Sequence, residues 1–267
     1  MPKDGMSFDK YIDNPSGGSV YTNRNMYKQM YRKKFDAVLV REQGQIKYEI
    51  YKTDDGNDSF FIYIKIPSEV IENFYYDVVV KLFTYDNVKK TNANLREYSV
   101  NFYSNDPAFV YTFAHSFAKN KLFIKELEPK MSKQALRDKA VVRNPKDDVW
   151  YVKSLYFAYL TMEKYGLFNR SMLNQRAKPY RKNELLQKIT QADVKVKARQ
   201  DAQEKLNKEK RLAKEKEKKE NQKKINSGIA TNTSRAAPIS KVAKTTKVSS
   251  TSRVTKKTKI TSMKKKS

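Results

Sequence analysis

The sequence predicts an α+β fold: an antiparallel β-meander of about five strands followed by packed helices, then a long charged helix and a disordered basic tail. Three observations predict it. Between residues 35 and 103, short runs rich in Val, Ile, Phe and Tyr alternate with turn signals, the pattern of hairpin-linked strands. From 104 to 178 the apolar spacing changes to that of helices. All 18 Tyr, all 13 Phe and the one Trp lie at or before Tyr180. Aromatic side chains dominate core burial, so the core must form within the first 180 residues.

Residues 1–34 read as a basic, aromatic N-terminal arm. Asn14-Pro15-Ser16-Gly17-Gly18-Ser19 has linker composition. Beyond it, Met26 and Met30, and Tyr27 and Tyr31, are each four apart, so a short helix puts each pair on one face. Arg24, Lys28, Arg32, Lys33 and Lys34 surround them. This segment either stacks on bases or lies along phosphates, or else is stapled to the domain by Tyr27 and Tyr31.

The globular domain is expected over 35–178. Its strands are Phe35–Val40, Gln45–Lys52, Ser59–Ile66, Tyr75–Tyr85 and Leu95–Tyr103. Gly44 supplies a positive φ at the first connection. Asp54-Asp55-Gly56-Asn57-Asp58 is a hairpin signal rather than a calcium loop, which requires a longer pattern closing on Glu. In the third strand Phe61, Tyr63 and Lys65 share one face, and Phe60, Ile62, Ile64 and Ile66 the other. A helix begins at Pro107 with Asp106 as its N-cap. It presents Phe109, Val110, Phe113, Ala114 and Phe117 on one face and ends at Asn120. A shorter helix covers Ser132–Lys139. Another runs from about Asp148 to Tyr165, with Asp147 and Asp148 at its N-terminus and Gly166 past its end. These helices are expected to pack on one sheet face.

Residues 181–226 contain no Gly or Pro and are dominated by Lys, Glu, Gln, Ala and Arg. Leu185, Ile189, Ala192 and Val196 form a seam that fades into Arg199, Gln203 and Lys210. The result is a long solvated helix whose stretch 185–206 docks on the domain or self-associates weakly. Residues 227–267 carry too little apolar surface to offset ordering entropy, and Ser227-Gly228 and Ala237-Pro238 break helices.

Charge is distributed unevenly. The chain has 56 Lys+Arg against 29 Asp+Glu, a net +27. Residues 225–267 hold 11 basic and no acidic side chains. Lysines on a flexible chain neutralise phosphates without needing geometry, so the expected partner is a polyanion, foremost nucleic acid, bound with steep salt dependence and no sequence preference. The contact residues are Lys241, Lys244, Lys247, Arg253, Lys256, Lys257, Lys259, Lys264, Lys265 and Lys266, together with the basic side chains of the N-terminal arm. No aromatic residue interleaves the tail, which argues there against base stacking and membrane insertion.

Several chemistries are excluded or disfavoured. There is no Cys, hence no thiolate nucleophile, disulfide or zinc–thiolate site. His115 is the single histidine and reads as structural. No Gly-rich phosphate loop is present, and no cofactor or metal is expected. Asp77, Lys81 and Glu97, on neighbouring strands, are the one constellation that suggests a metal-dependent nuclease. No signal peptide and no apolar run of membrane-spanning length occur, so the chain reads as soluble without a membrane partner.

Tyr98–Ala114, Val142-Arg143-Asn144-Pro145 and Trp150–Leu160 resemble virion-associated or uncharacterised proteins of AT-rich tailed bacteriophages. Heavy use of Lys, Asn, Tyr and Ile fits an AT-rich genome. The resemblance covers about residues 35–170. It implies a structural or assembly role beside other virion proteins, in the bacterial host cytoplasm and then in the particle. A regulatory DNA- or RNA-binding protein is the rival expectation.

Overall fold

A computed structural model describes residues 6–13, 24–54, 59–84 and 94–232. The described chain begins with α1 (Phe8–Asp13) and α2 (Arg24–Arg41). Strands β1 (Tyr48–Lys52), β2 (Phe60–Pro67) and β3 (Tyr75–Phe83) follow, then a 3-10 turn at Leu95–Glu97 and β4 (Ser99–Ser104). A π-helical turn, Phe109–Phe113, leads into α3 (Ala114–Lys119). After a 3-10 segment, Lys125–Lys130, come α4 (Lys133–Arg137), α5 (Lys153–Lys164) and α6 (Arg170–Arg176). The two-residue strand β5 (Lys178–Pro179), α7 (Lys182–Lys188) and α8 (Ala192–Asn232) complete it.

The α+β class holds, but the sheet is mixed. Its order is β4-β3-β2-β1-β5. The first four strands pair antiparallel with their sequence neighbours, while β5 joins the edge parallel to β1. The expected first strand, Phe35–Val40, is instead the last part of α2. Its apolar residues suit either period, and burial selects the helix: Phe35 and Val38 are buried, whereas Val40 is 81% exposed. Gly44 does take a positive φ, +75°. It ends a helix rather than a strand, donating its N–H to Leu39 O at 2.7 Å.

Helices cover both sheet faces, not one. Toward one face lies α5, with α2 packed on its far side; Phe35 meets Phe157 edge-on at 5.4 Å. Squeezed between sheet and α2, α5 buries every residue from Ser154 to Met162. Such a helix carries no solvent stripe. The other face bears Phe61 and Tyr63. Tyr180 stacks on Phe61 at 4.2 Å, and the Tyr63 hydroxyl reaches Lys188 O at 3.5 Å. This double covering explains why seven of the eight residues of β2 are buried.

The segment before residue 14 is core rather than arm. Phe8 and Tyr11 are fully buried. Phe8 packs edge-on to Phe102 at 4.9 Å, and the Tyr11 hydroxyl donates to Trp150 O at 3.0 Å while accepting from Val152 N–H at 3.2 Å. Burial pushes the Tyr11 phenol well above its ordinary pKa.

The compact part of the chain extends to Leu212, and residues from Ala213 onward form a second unit. The charged segment is two helices, because Ile189–Gln191 interrupts it between α7 and α8. Leu185, Ile189, Ala192 and Val196 are all buried, so the fading seam docks on its own domain. In the second unit, α8 continues through Ser227-Gly228 to Asn232, past the expected break.

Candidate nucleic-acid interface

The basic residues expected to contact nucleic acid fall into two sets. Lys241, Lys244, Lys247, Arg253, Lys256, Lys257, Lys259, Lys264, Lys265 and Lys266 lie outside the described residues. Those of the N-terminal segment lie on α2, and three of them have carboxylate partners. Lys28 pairs with Asp13 at 2.7 Å, Lys34 with Glu69 at 3.0 Å and Arg32 with Glu163 at 3.5 Å. Lys33 is exposed, and Arg24 opens the helix. Tyr27 and Tyr31 turn inward, edge-on to Trp150 at 6.4 Å and tilted against Tyr156 at 5.8 Å. Of the two expectations for this segment, the geometry matches stapling.

On α8, every residue from Asn207 to Lys223 is exposed. Over this stretch eight basic side chains face four acidic ones. Three i,i+4 spacings join opposite charges (Arg211–Glu215, Glu215–Lys219 and Lys216–Glu220) and three join like charges (Lys210–Lys214, Lys214–Lys218 and Lys219–Lys223), so local pairing leaves a positive excess on the helix.

The nuclease constellation is not assembled. Asp77 is buried at 3% exposure. One of its oxygens accepts from the Tyr63 hydroxyl at 2.8 Å; the other accepts from Asn105 Nδ2 at 2.8 Å and from Thr190 N–H at 2.9 Å. Lys81 is engaged by Glu126. Glu97 sits in the 3-10 turn beyond Ser99, and Ser99 pairs with Phe83 at the far end of β3. Six residues of extended strand, about 20 Å, separate that end from Asp77. Among the described residues no group of three or more His, Asp or Glu side chains is arranged to hold a metal.

Asp147 does not start a helix, since α5 begins only at Lys153. It sits at φ +58° and is 7% exposed. His115 Nδ1 and Ser116 Oγ bind one of its oxygens at 2.9 and 2.7 Å, and Lys119 Nζ binds the other at 2.8 Å. Burial alone would raise this carboxyl. The bonds from Lys119, Ser116 and His115 outweigh it and hold the group well below the usual carboxylate range. Asn144 completes the cluster, donating to Ser116 Oγ at 2.8 Å and Asp148 O at 2.9 Å. Through Asp147, His115 helps to orient the loop 138–149.

One basic segment was not anticipated. Residues 119–146 carry nine Lys and Arg against Glu126, Glu128 and Asp138. All nine except half-buried Lys130 are exposed. The signal was present as local charge, hidden because the cations are spread singly through irregular segments rather than massed in a run.

No protein-family model matches the chain, and no curated protein and no solved structure is significantly similar to it. No helix among the described residues is long and apolar enough to cross a membrane.

Proposed function

We propose that this chain is a non-enzymatic structural or assembly protein of a tailed phage, whose basic C-terminal segment holds nucleic acid by charge alone. One observation carries the reading: residues 233–267 contain 11 basic and no acidic side chains, directly after a helix whose exposed surface is already cationic. Uncompensated cations release condensed counterions from a phosphate backbone, and this release drives binding without base recognition. The folded body, through its resemblance to phage virion proteins, supplies attachment to an assembly.

The test is retention on a duplex DNA column of the full chain and of a chain ending at Asn232. If about ten cations engage duplex, log K falls with log salt at a slope of about −9. The shortened chain is expected to elute at much lower salt with its thermal unfolding unchanged. Elution of both at the same salt would defeat the reading. Presence in purified particles at fixed stoichiometry would test the assembly role.

A further inference from the structure

We propose that the face formed by residues 109–146 binds single-stranded nucleic acid, with one unstacked base seated beside His115. The inference rests on the reading that the chain engages nucleic acid, but uses the folded domain instead of the tail.

A cavity of 230 Å³, enough for one nucleobase, opens on this face. Its lining includes Tyr111, His115, Ser132, Gln134, Asp138 and Lys139. Hydroxyl, amide and imidazole groups of this kind match the mixed donor and acceptor edge of a base. His115 has Nδ1 engaged by Asp147, which leaves Nε2 for a ligand.

Tyr111 is placed by an unusual backbone. Ala114 N–H bonds Phe109 O, five residues back, so the turn holds one residue more than an α-helix. Such π-turns concentrate at functional sites. Here Phe109 and Val110 are buried while Tyr111 stands 47% exposed at the cavity. An aromatic ring held outward on a rigid element is a stacking platform for a base.

Lys139 lines the cavity, Lys133 lies between its lining residues Ser132 and Gln134, and Arg143 and Lys146 flank Asn144 and Asp147, which bond Thr112 and His115; all four cations are exposed. Among the described residues none has a carboxylate within 4.0 Å. The loop bearing Lys139, Arg143 and Lys146 is fixed by Asn144 and Asp147, so its cations are presented without the ordering cost a free tail incurs. A duplex keeps its bases stacked and has no use for the cavity. An acidic peptide could use the cations but carries no base to stack on Tyr111. A single strand uses the cations, the ring and the cavity together.

The experiment measures fluorescence anisotropy of a labelled single strand and of the matching duplex, with the full chain across a salt series. Tyr111→Ala is expected to weaken single-strand binding about 5- to 100-fold and to leave duplex affinity and the melting curve unchanged. Lys133→Glu with Arg143→Glu is expected to lower the single-strand salt slope by about 1.4. If neither variant alters single-strand binding while nucleic acid still binds, this proposal is overturned and the tail reading survives. If no nucleic acid binds, both fall. If labelled polyglutamate binds the chain more tightly than the strand and loses affinity in the charge-reversed variant, the partner is an acidic protein and the proposal is overturned.

Discussion

The carboxylate of Asp77, near the start of β3, accepts the backbone N–H of Thr190 at 2.9 Å, at the break between α7 and α8. Asn105 grips the same joint, donating to Thr190 O at 3.3 Å. A buried acid that looked like a metal ligand instead anchors the root of the charged helix. Arg199 continues the attachment, donating to the Tyr76 hydroxyl at 2.8 Å.

Replacing Asp77 with Ala strands three donors, from Tyr63, Asn105 and Thr190, in a buried site. Each unsatisfied group costs about 1–3 kcal/mol, so a loss of at least about 3 kcal/mol is expected by urea unfolding. Amide exchange should rise first at Thr190 and Gln191, before the sheet amides. Equal exchange throughout would contradict the anchoring role.

Substitutions in α2 distinguish helix from strand. Phe35→Ala should destabilise by about 3–5 kcal/mol, because a buried aromatic is removed from contact with Phe157. Val38→Ala should cost about 1–2 kcal/mol, whereas Val40→Ala should lie within about 0.5 kcal/mol of the parent. In an alternating strand Val38 and Val40 would share a face and respond alike. Chemical denaturation of the three variants measures this.

Glu49 links acid stability to the docking of α7. Burial raises its carboxyl, but bonds from Lys188 at 2.6 Å, Lys178 at 2.9 Å and the Tyr51 hydroxyl at 2.9 Å bring it down from 4.5 to about 2. A group whose pKa is lowered by folding stabilises fully above its unfolded value and loses that contribution as pH falls through the folded one. Stability should therefore decline between about pH 4.5 and 2. Glu49→Gln should flatten that limb and lower stability at pH 7. A pH series of thermal melts will show whether the limb changes.

Lys28, Arg32 and Lys34 of α2 are paired with carboxylates, so these three should contribute little to nucleic-acid retention. Arg32→Gln with Lys34→Gln is expected to shift the elution salt of the full chain far less than removal of 233–267. A comparable shift would place the interface on α2.

Much of the domain was readable because local chemistry and tertiary packing agree. Asp106 caps its helix as expected, accepting from Ala108 N–H at 3.0 Å, and Asn120 closes it. Gly166 follows α5 at φ +66°. The alternation in β2 matches the split of its side chains between the two helical layers. The failures occurred where one sequence satisfies two periods. Phe35–Val40 suits a strand or a helix, and only the position of Phe157 selects between them. The expected stripe of α3 was disturbed by the π-turn, which leaves Phe113 half-buried. The basic segment 119–146 was missed because its cations are spread singly through irregular segments rather than massed in a run.

The sequence by itself determined where the core ends, where the uncompensated charge lies and which side chains alternate in the strands. These follow from composition and nearest-neighbour geometry, which need no tertiary partner. Only the tertiary structure decided that Asp77 is a latch, that Asp147 and His115 brace a loop, and that Tyr111 stands beside a cavity. The first two depend on groups between 14 and 113 residues apart in the chain meeting at hydrogen-bond distance. Such encounters are set by packing, which local sequence does not specify.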